Sequence, residues 1–305
     1  MHTSRISLRD CSHETYKLRA SLQAIDHIGS GGNAAVVRGF VDEGAPKDVA
    51  LKLFDPRRIN ADDREREYRK FEHANLVRID ELTNLRELGF EHVPDWYSNI
   101  LDCQPEPFVS HPVASCSPNP CNLRAKTGIN DSGELRPIFG ADRLGHTPKA
   151  LAEFGPADFF ILVMEYCPIT LSEHIKHSRS MGEIRRILIE VCAGLTAMHK
   201  EGVTHEDLII ENILLTNEGV IKICDFGLSG RQGKGIVGDI SNLGLLAFEL
   251  ATGKNLLDYD LMDDDESELN VQGSFVEICQ RAVGGSDSDP FCSVNDFLEA
   301  LNKTF

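Results

Sequence analysis

The sequence is short of positive charge. Lys and Arg total 31 against 48 Asp and Glu, a net charge of −17 over 305 residues. A chain of that sign repels nucleic acid and anionic lipid, so neither is expected as a partner, while a basic protein partner would suit it. No apolar run approaches the roughly 18 residues that span a bilayer. Residues 1–20 hold no apolar core of the kind a secretory leader needs. Nine cysteines, an odd number, are scattered rather than paired. A reduced, cytoplasmic setting is therefore the expectation, and a disulfide framework is not. Internal repeats are also missing.

What is present is the composition of a folded protein, 41% hydrophobic and 26% charged. The length is generous for one core and comfortable for two lobes. Segments 24–28, 36–41, 49–54 and 76–79 carry β-branched residues between turn signals and predict strands. The apolar run 159–163 predicts a fifth, buried strand. One charged helix is expected over 61–72. From Leu171 the period changes: Ile184, Ile187, Leu188, Val191, Cys192, Leu195 and Met198 mark one helical face. Residues 240–250 are apolar nearly all round, and Val294, Phe297, Leu298 and Leu301 form a last amphipathic face. Between them, 213–216 and 220–224 flank the turn Asn217-Glu218-Gly219 and predict a hairpin.

Strands first and helices afterwards argue for an α+β architecture. The expected division is an N-terminal extension at 1–22, a strand-rich lobe at 23–166 and a helical lobe at 167–305. Residues 95–155, with seven prolines and Cys103, Cys116 and Cys121, read as a long inserted loop between the fourth and fifth strands. A zinc ion on those cysteines and His111 is a minor alternative, because the spacing is loose. Asp263 to Glu268 reads as a solvated acidic loop before it reads as a docking site.

Four motifs carry chemistry. Ile28-Gly29-Ser30-Gly31-Gly32-Asn33-Ala34-Ala35-Val36 lies between two expected strands, where glycines let backbone N–H groups approach a polyphosphate. Alone, such a loop is more often only a turn. Val49-Ala50-Leu51-Lys52-Leu53 puts a lysine in an apolar strand, which is costly unless the charge meets a partner. The bland alternative is an edge strand with Lys52 in water. His205-Glu206-Asp207 and Asn212 come next, and then Asp225-Phe226-Gly227, 13 residues after Asn212. A hairpin would bring the Asn212 and Asp225 oxygens together as hard ligands for magnesium, with Asp207 placed to take a hydroxyl proton. Taken singly, each is also an ordinary loop or turn residue.

Their order is more specific than any one of them. Gly-rich hairpin, strand lysine, His-x-Asp-x4-Asn and Asp-Phe-Gly form the protein-kinase signature set. The chain resembles the eukaryotic-type protein kinase family, nearer its Ser/Thr branch, from about Gln23 to Leu301 outside the insert. His73-Ala74-Asn75-Leu76-Val77, Leu162 to Cys167 and Asp239 to Gly244 are further matching pieces. The resemblance implies a bilobal fold that binds ATP and magnesium. The loop from Gly29 to Val36, with Ser30, Gly31 and Gly32, would cover the phosphates; Val36, Ala50 and Leu214 would sandwich the ring, and Ile28 would also belong to the ATP site. Lys52 would hold the α and β phosphates and pair with Glu67 or Glu65. Met164 would be the gatekeeper, and the Glu165 and Cys167 backbones would bond adenine. Asp207 would be the catalytic Asp, Asn212 and Asp225 the metal ligands, and Tyr68, Phe226 and His205 a stacked spine.

The sequence departs from the family at several points. Ala34 replaces a glycine of the loop. Glu206 replaces the Arg that grips a regulatory phosphate, and Ile209 replaces the lysine that neutralises the transferring phosphoryl group. Asp225 and Asp239 are 14 residues apart with no Ala-Pro-Glu, and Phe291 stands where that motif's Arg partner is expected. The leading expectation is a compact Ser/Thr protein kinase, weak or partner-dependent and independent of loop phosphorylation. The alternative is a pseudokinase that binds nucleotide as a scaffold. Phosphorylation of a small molecule ranks last.

Overall fold

The computed structural model describes residues 16–19, 22–30, 34–42, 46–59, 68, 70–102, 151–176, 180–226, 235–258, 271–285 and 289–304. The chain divides into two compact units, 1–60 with 82–162 and 61–81 with 163–305. The architecture is α+β.

In the first unit, β1 (Tyr16–Arg19), β2 (Leu22–Ser30), β3 (Ala34–Asp42) and β4 (Pro46–Phe54) run antiparallel in sequence. With β5 (Ile79–Asn84) and β6 (Phe160–Glu165) the sheet order is β1-β2-β3-β4-β6-β5, and the boundary between the units falls within β5 and β6. In β4, Val49 to Phe54 are buried without a break, because the strand is paired on both sides and covered on both faces. Helix α1 (Asp95–Asp102) buries Tyr97, Ile100 and Leu101, the i, i+3, i+4 stripe of an amphipathic turn.

The second unit holds the hairpin sheet β7 (Ile169–Thr170), β8 (Ile213–Leu215) and β9 (Ile221–Ile223). Its helices are α2 (Leu171–His174), α3 (Met181–Lys200), α4 (Gly235–Thr252), α5 (Gly273–Val283) and α6 (Val294–Thr304). The Ser180 hydroxyl accepts the Glu183 N–H at 3.3 Å and caps α3, a contact of about 1 kcal/mol. All seven predicted apolar positions of α3 are buried, each contributing about 1.5–3 kcal/mol before entropy is charged. At the other end of the unit, α5 stops at Gly284. Its left-handed φ of 79° lets its N–H reach Arg281 O, while Gly285 N–H reaches Gln280 O. Helix α4 is long and apolar enough to cross a membrane by length and composition alone. Its Leu243, Leu246, Ala247, Phe248 and Leu250 are buried within the unit, which accounts for that apolarity as core packing.

Several boundaries differ from the sequence expectations. The extension expected at 1–22 contains β1 and the first residue of β2, paired through Tyr16↔Ala24 and Arg19↔Leu22. The strand expected at 76–79 lies instead at Ile79–Asn84, while Leu76 forms a parallel bridge to Ile223. The inserted loop expected from residue 95 opens with α1 and closes with 3₁₀ turns at Leu151–Glu153 and Pro156–Asp158. Counting β1, the insert sits between β5 and β6. Proline-rich composition dominates the middle of that segment and masked the apolar triplet at its start. The charged helix expected over 61–72 does not reach its end, for Tyr68 and 70–72 are not helical, and 61–67 lie outside the described residues.

Candidate active site

In the first unit, the register sets the face of the site. Val36 pairs with Lys52, and Arg38 pairs with Ala50. Directly opposed residues share a face, and residues two apart on a strand do too. Val36, Ala50 and Lys52 therefore line one side of the β3–β4 ribbon. Lys52 is only 8% exposed and its strand is internal, which excludes the edge-strand reading of that lysine. Its Nζ lies 5.4 Å from the centre of the Phe54 ring. Gly29 and Ser30 continue β2, opposite Val36 and Ala35. Ile28 sits in a bulge between His27 and Gly29 and is exposed, as an extra residue on one strand of a ladder tends to be. Gly31, Gly32, Glu65 and Glu67 lie outside the described residues.

In the second unit, Asp207, Asn212 and the residue before Asp225 come together. Asn212 Nδ2 donates to the Asp207 carbonyl at 2.9 Å and lies 3.4 Å from its Oδ2. The Cys224 N–H donates to the Asn212 carbonyl at 2.9 Å, and the Cys224 thiol reaches the same oxygen. This closes the hairpin and sets Asp225, exposed at the end of β9, next to Asn212. The Asp207 N–H donates to His205 Nδ1, so Nε2 carries the proton that His205 gives to the Cys224 carbonyl at 2.9 Å. His205, fully buried, thus ties Asp207 to the residue before Asp225. Asp225 has φ 62° and Glu206 φ 64°, a left-handed backbone that non-glycine residues adopt at a cost.

Asp239 supplies what holds that loop. Fully buried, its Oδ2 accepts the His205 N–H at 2.8 Å and its Oδ1 the Glu206 N–H at 2.7 Å. His199 Nε2 lies 2.7 Å from Oδ2, and Asn242 Nδ2 reaches the Glu206 carbonyl. The sequence marked Asp239 as the start of a matching piece, Asp239 to Gly244, ahead of the apolar run 240–250, while the helix itself begins at Gly235. An acidic residue beside the apolar run of that helix was the available signal, since a carboxylate is buried only where donors meet it.

Glu165, expected against adenine, is braced within the same unit. Glu165 N–H donates to the Arg78 carbonyl at 2.8 Å, and Glu165 Oε2 takes the Arg78 N–H and the Lys222 ammonium, the latter at 2.9 Å. Burial, and then the Glu165 charge, push the Cys167 thiol up to about 12, so it stays protonated. Met164 is half-buried, as is Leu214, which faces away from buried Ile213 and Leu215. The expected stack of Tyr68 on Phe226 is taken by Phe71, whose ring meets Phe226 edge-on at 5.2 Å, while Tyr68 packs on Lys70.

A family model described as "Protein kinase domain" matches residues 149–238, which include the loop from His205 to Asn212 and Asp225. Over that stretch the chain is similar to a protein kinase domain. The kinase match extends to individual proteins. Cyclin-dependent kinase G-2 of Oryza sativa subsp. indica is 38% identical over 79 residues, 25% of this chain and 11% of that protein. Cyclin-dependent kinase 10 of Rattus norvegicus is 36% identical over 117 residues, 36% of this chain and 32% of that protein. The probable serine/threonine-protein kinase pknA2 of Bifidobacterium longum (strain NCC 2705) is 30% identical over 137 residues, 35% of this chain and 18% of that protein. The alignments thus span about a tenth to a third of these relatives' lengths. The family match begins at residue 149, so the kinase assignment rests on the second unit and the end of the insert, while the β2–β4 ribbon rests on its own pattern.

Proposed function

We propose that the chain binds ATP with magnesium and transfers the γ-phosphate to a Ser or Thr hydroxyl of a protein. The observation that supports this reading is the junction of Asp207, Asn212 and Cys224, which joins a candidate base to one candidate metal ligand and to the residue before the other. The donor set fits magnesium. Asn212 spends its Nδ2 on Asp207, which leaves Oδ1 as its acceptor atom, and Asp225 is an exposed acidic residue. Magnesium would supply charge neutralisation of the phosphates when held by these two residues. Asp207 would orient the acceptor hydroxyl and take its proton as the oxygen–phosphorus bond forms and ADP departs. Lys52, on the face shared with Val36 and Ala50, would hold the α and β phosphates, with the adenine edge on the Glu165 and Cys167 backbones. Gly29 to Gly32 would cover the phosphates, with Glu67 or Glu65 the lysine's partner.

A second reading is favoured by one feature. Ile209, 43% exposed, occupies the place of a basic residue that would meet the transferring group. Loss of one preorganised charge typically costs about 10²–10³ in rate, so a nucleotide-binding scaffold with negligible transfer is the alternative. Two relatives are named as cyclin-dependent, which supports a partner protein as the second requirement for activity. Purified protein incubated with labelled ATP and magnesium, with and without cell lysate, decides between these readings. Transfer that disappears in Asp225→Ala and Asp207→Asn supports the kinase. Binding with no transfer in any condition selects the scaffold.

A further inference from the structure

Tyr97, on a helix that belongs to the insert and to no signature motif, is fully buried against the strand that carries Lys52. Its hydroxyl donates to the Phe160 carbonyl at 2.8 Å and lies 3.4 Å from the Phe54 carbonyl. These carbonyls stand at the start of β6 and the end of β4, neighbours in the sheet. Phe54 is the residue whose ring meets the Lys52 ammonium. The Tyr97 ring is itself fixed, edge-on to Phe159 at 5.3 Å and tilted against Trp96 at 5.5 Å. Beyond Phe54, Asp55 is buried and held by the Arg57 guanidinium at 2.7 Å, so the turn after β4 is clamped as well. A hydrophobic helix needs no hydroxyl at such a site. One that reaches two strand ends at once limits how far they slide, and Lys52 sits two residues from one of them.

We propose that Tyr97 is a positioning residue for Lys52: its hydroxyl locks the end of β4 to the start of β6 and so sets the reach of the lysine toward nucleotide phosphate. Burial, and then the nearby Asp55 charge, raise the Tyr97 pKa well above its ordinary value, which keeps the hydroxyl a donor. The insert is thereby fastened to the nucleotide half of the sheet through α1. The proposal rests on the reading of Lys52 as the phosphate-holding lysine.

The test is Tyr97→Phe in the full chain, which keeps the ring and removes one oxygen. Affinity for Mg–ATP by calorimetry is expected to fall roughly fivefold, the scale of one lost neutral hydrogen bond. Amide exchange of residues 52–54 and 160–162, measured without nucleotide, is expected to speed up by a similar factor. Ile278→Val in α5 serves as the control, lowering the melting temperature with no change in Mg–ATP affinity. A Tyr97→Phe protein that melts earlier but binds Mg–ATP within twofold of the parent overturns the proposal and leaves Tyr97 a packing residue. A parent that does not bind Mg–ATP sinks the role of Lys52 and the positioning role with it. Unchanged exchange at 52–54 rejects the lock by itself, whatever the nucleotide result.

Discussion

A single carboxylate illustrates how the loop from His205 to Asn212 is held. Asp239 takes two backbone N–H groups of the loop and faces His199 besides, so both of its oxygens are in use. Asp239→Asn keeps the shape, but one oxygen becomes an amide donor facing N–H groups. Each buried donor left without an acceptor costs about 1–3 kcal/mol. The expected outcome is an unfolding free energy in urea lowered by that order and a loss of phosphotransfer larger than the stability change, because Glu206 would leave its left-handed backbone. Ile209 presents the opposite case, a site short of charge. Ile209→Lys is expected to raise the labelled-phosphate transfer rate by about tenfold or more, with little change in ATP affinity. A rate unchanged from the parent would count against Ile209 as the rate-limiting departure.

The same economy of space governs whole elements. A Cβ on Gly244 of α4 would come 2.6 Å from the Ala282 Cβ and 2.9 Å from the Cys279 carbonyl of α5. Two helices at that approach cannot yield a methyl's width, so Gly244→Ala is expected to cost about 1–3 kcal/mol in denaturant unfolding. On α3, the side-chain hydrogen bonds from Arg186 lower the Glu183 pKa from 4.5 to about 2, against burial and with help from His174. A carboxylate held low in the folded state stabilises fully above its unfolded value, and that contribution is lost as pH falls from about 4.5 through about 2. Acid titration of stability should therefore be shallower over that window in Glu183→Gln than in the parent. Parallel acid profiles would show that Glu183 is solvated in solution. The elements themselves were readable where a period ran long: α3, α4, α6 and the β8–β9 hairpin follow their apolar spacing. Short elements were not. Helix α1 carries its signal in three residues, and the strand at Ile79–Asn84 hides its alternation behind Glu81 and Asn84, whose neighbours decide their burial.

For the molecule as a whole, the decisive measurement is ligand linkage. A nucleotide that binds only the folded chain stabilises it by RT ln(1 + [L]/Kd), about 2.7 kcal/mol at a hundredfold excess over Kd. Mg–ATP is expected to raise the melting temperature, and Asp225→Ala to abolish the magnesium-dependent part of the rise. A rise that persists in that variant would remove Asp225 from the metal site.

Residue type and order along the chain single out Lys52, Asp207, Asn212 and Asp225 as candidates, because phosphate and magnesium chemistry admits few side chains. The sequence also determined the α+β class, since periods of 2 and 3.6 are properties of local backbone geometry. Tertiary structure alone decided that Asp239 grips the loop, that Phe71 rather than Tyr68 meets Phe226, and that Tyr97 reaches β4 and β6. Those contacts join residues far apart along the chain or across strands, and packing fixes them where no local spacing encodes the meeting.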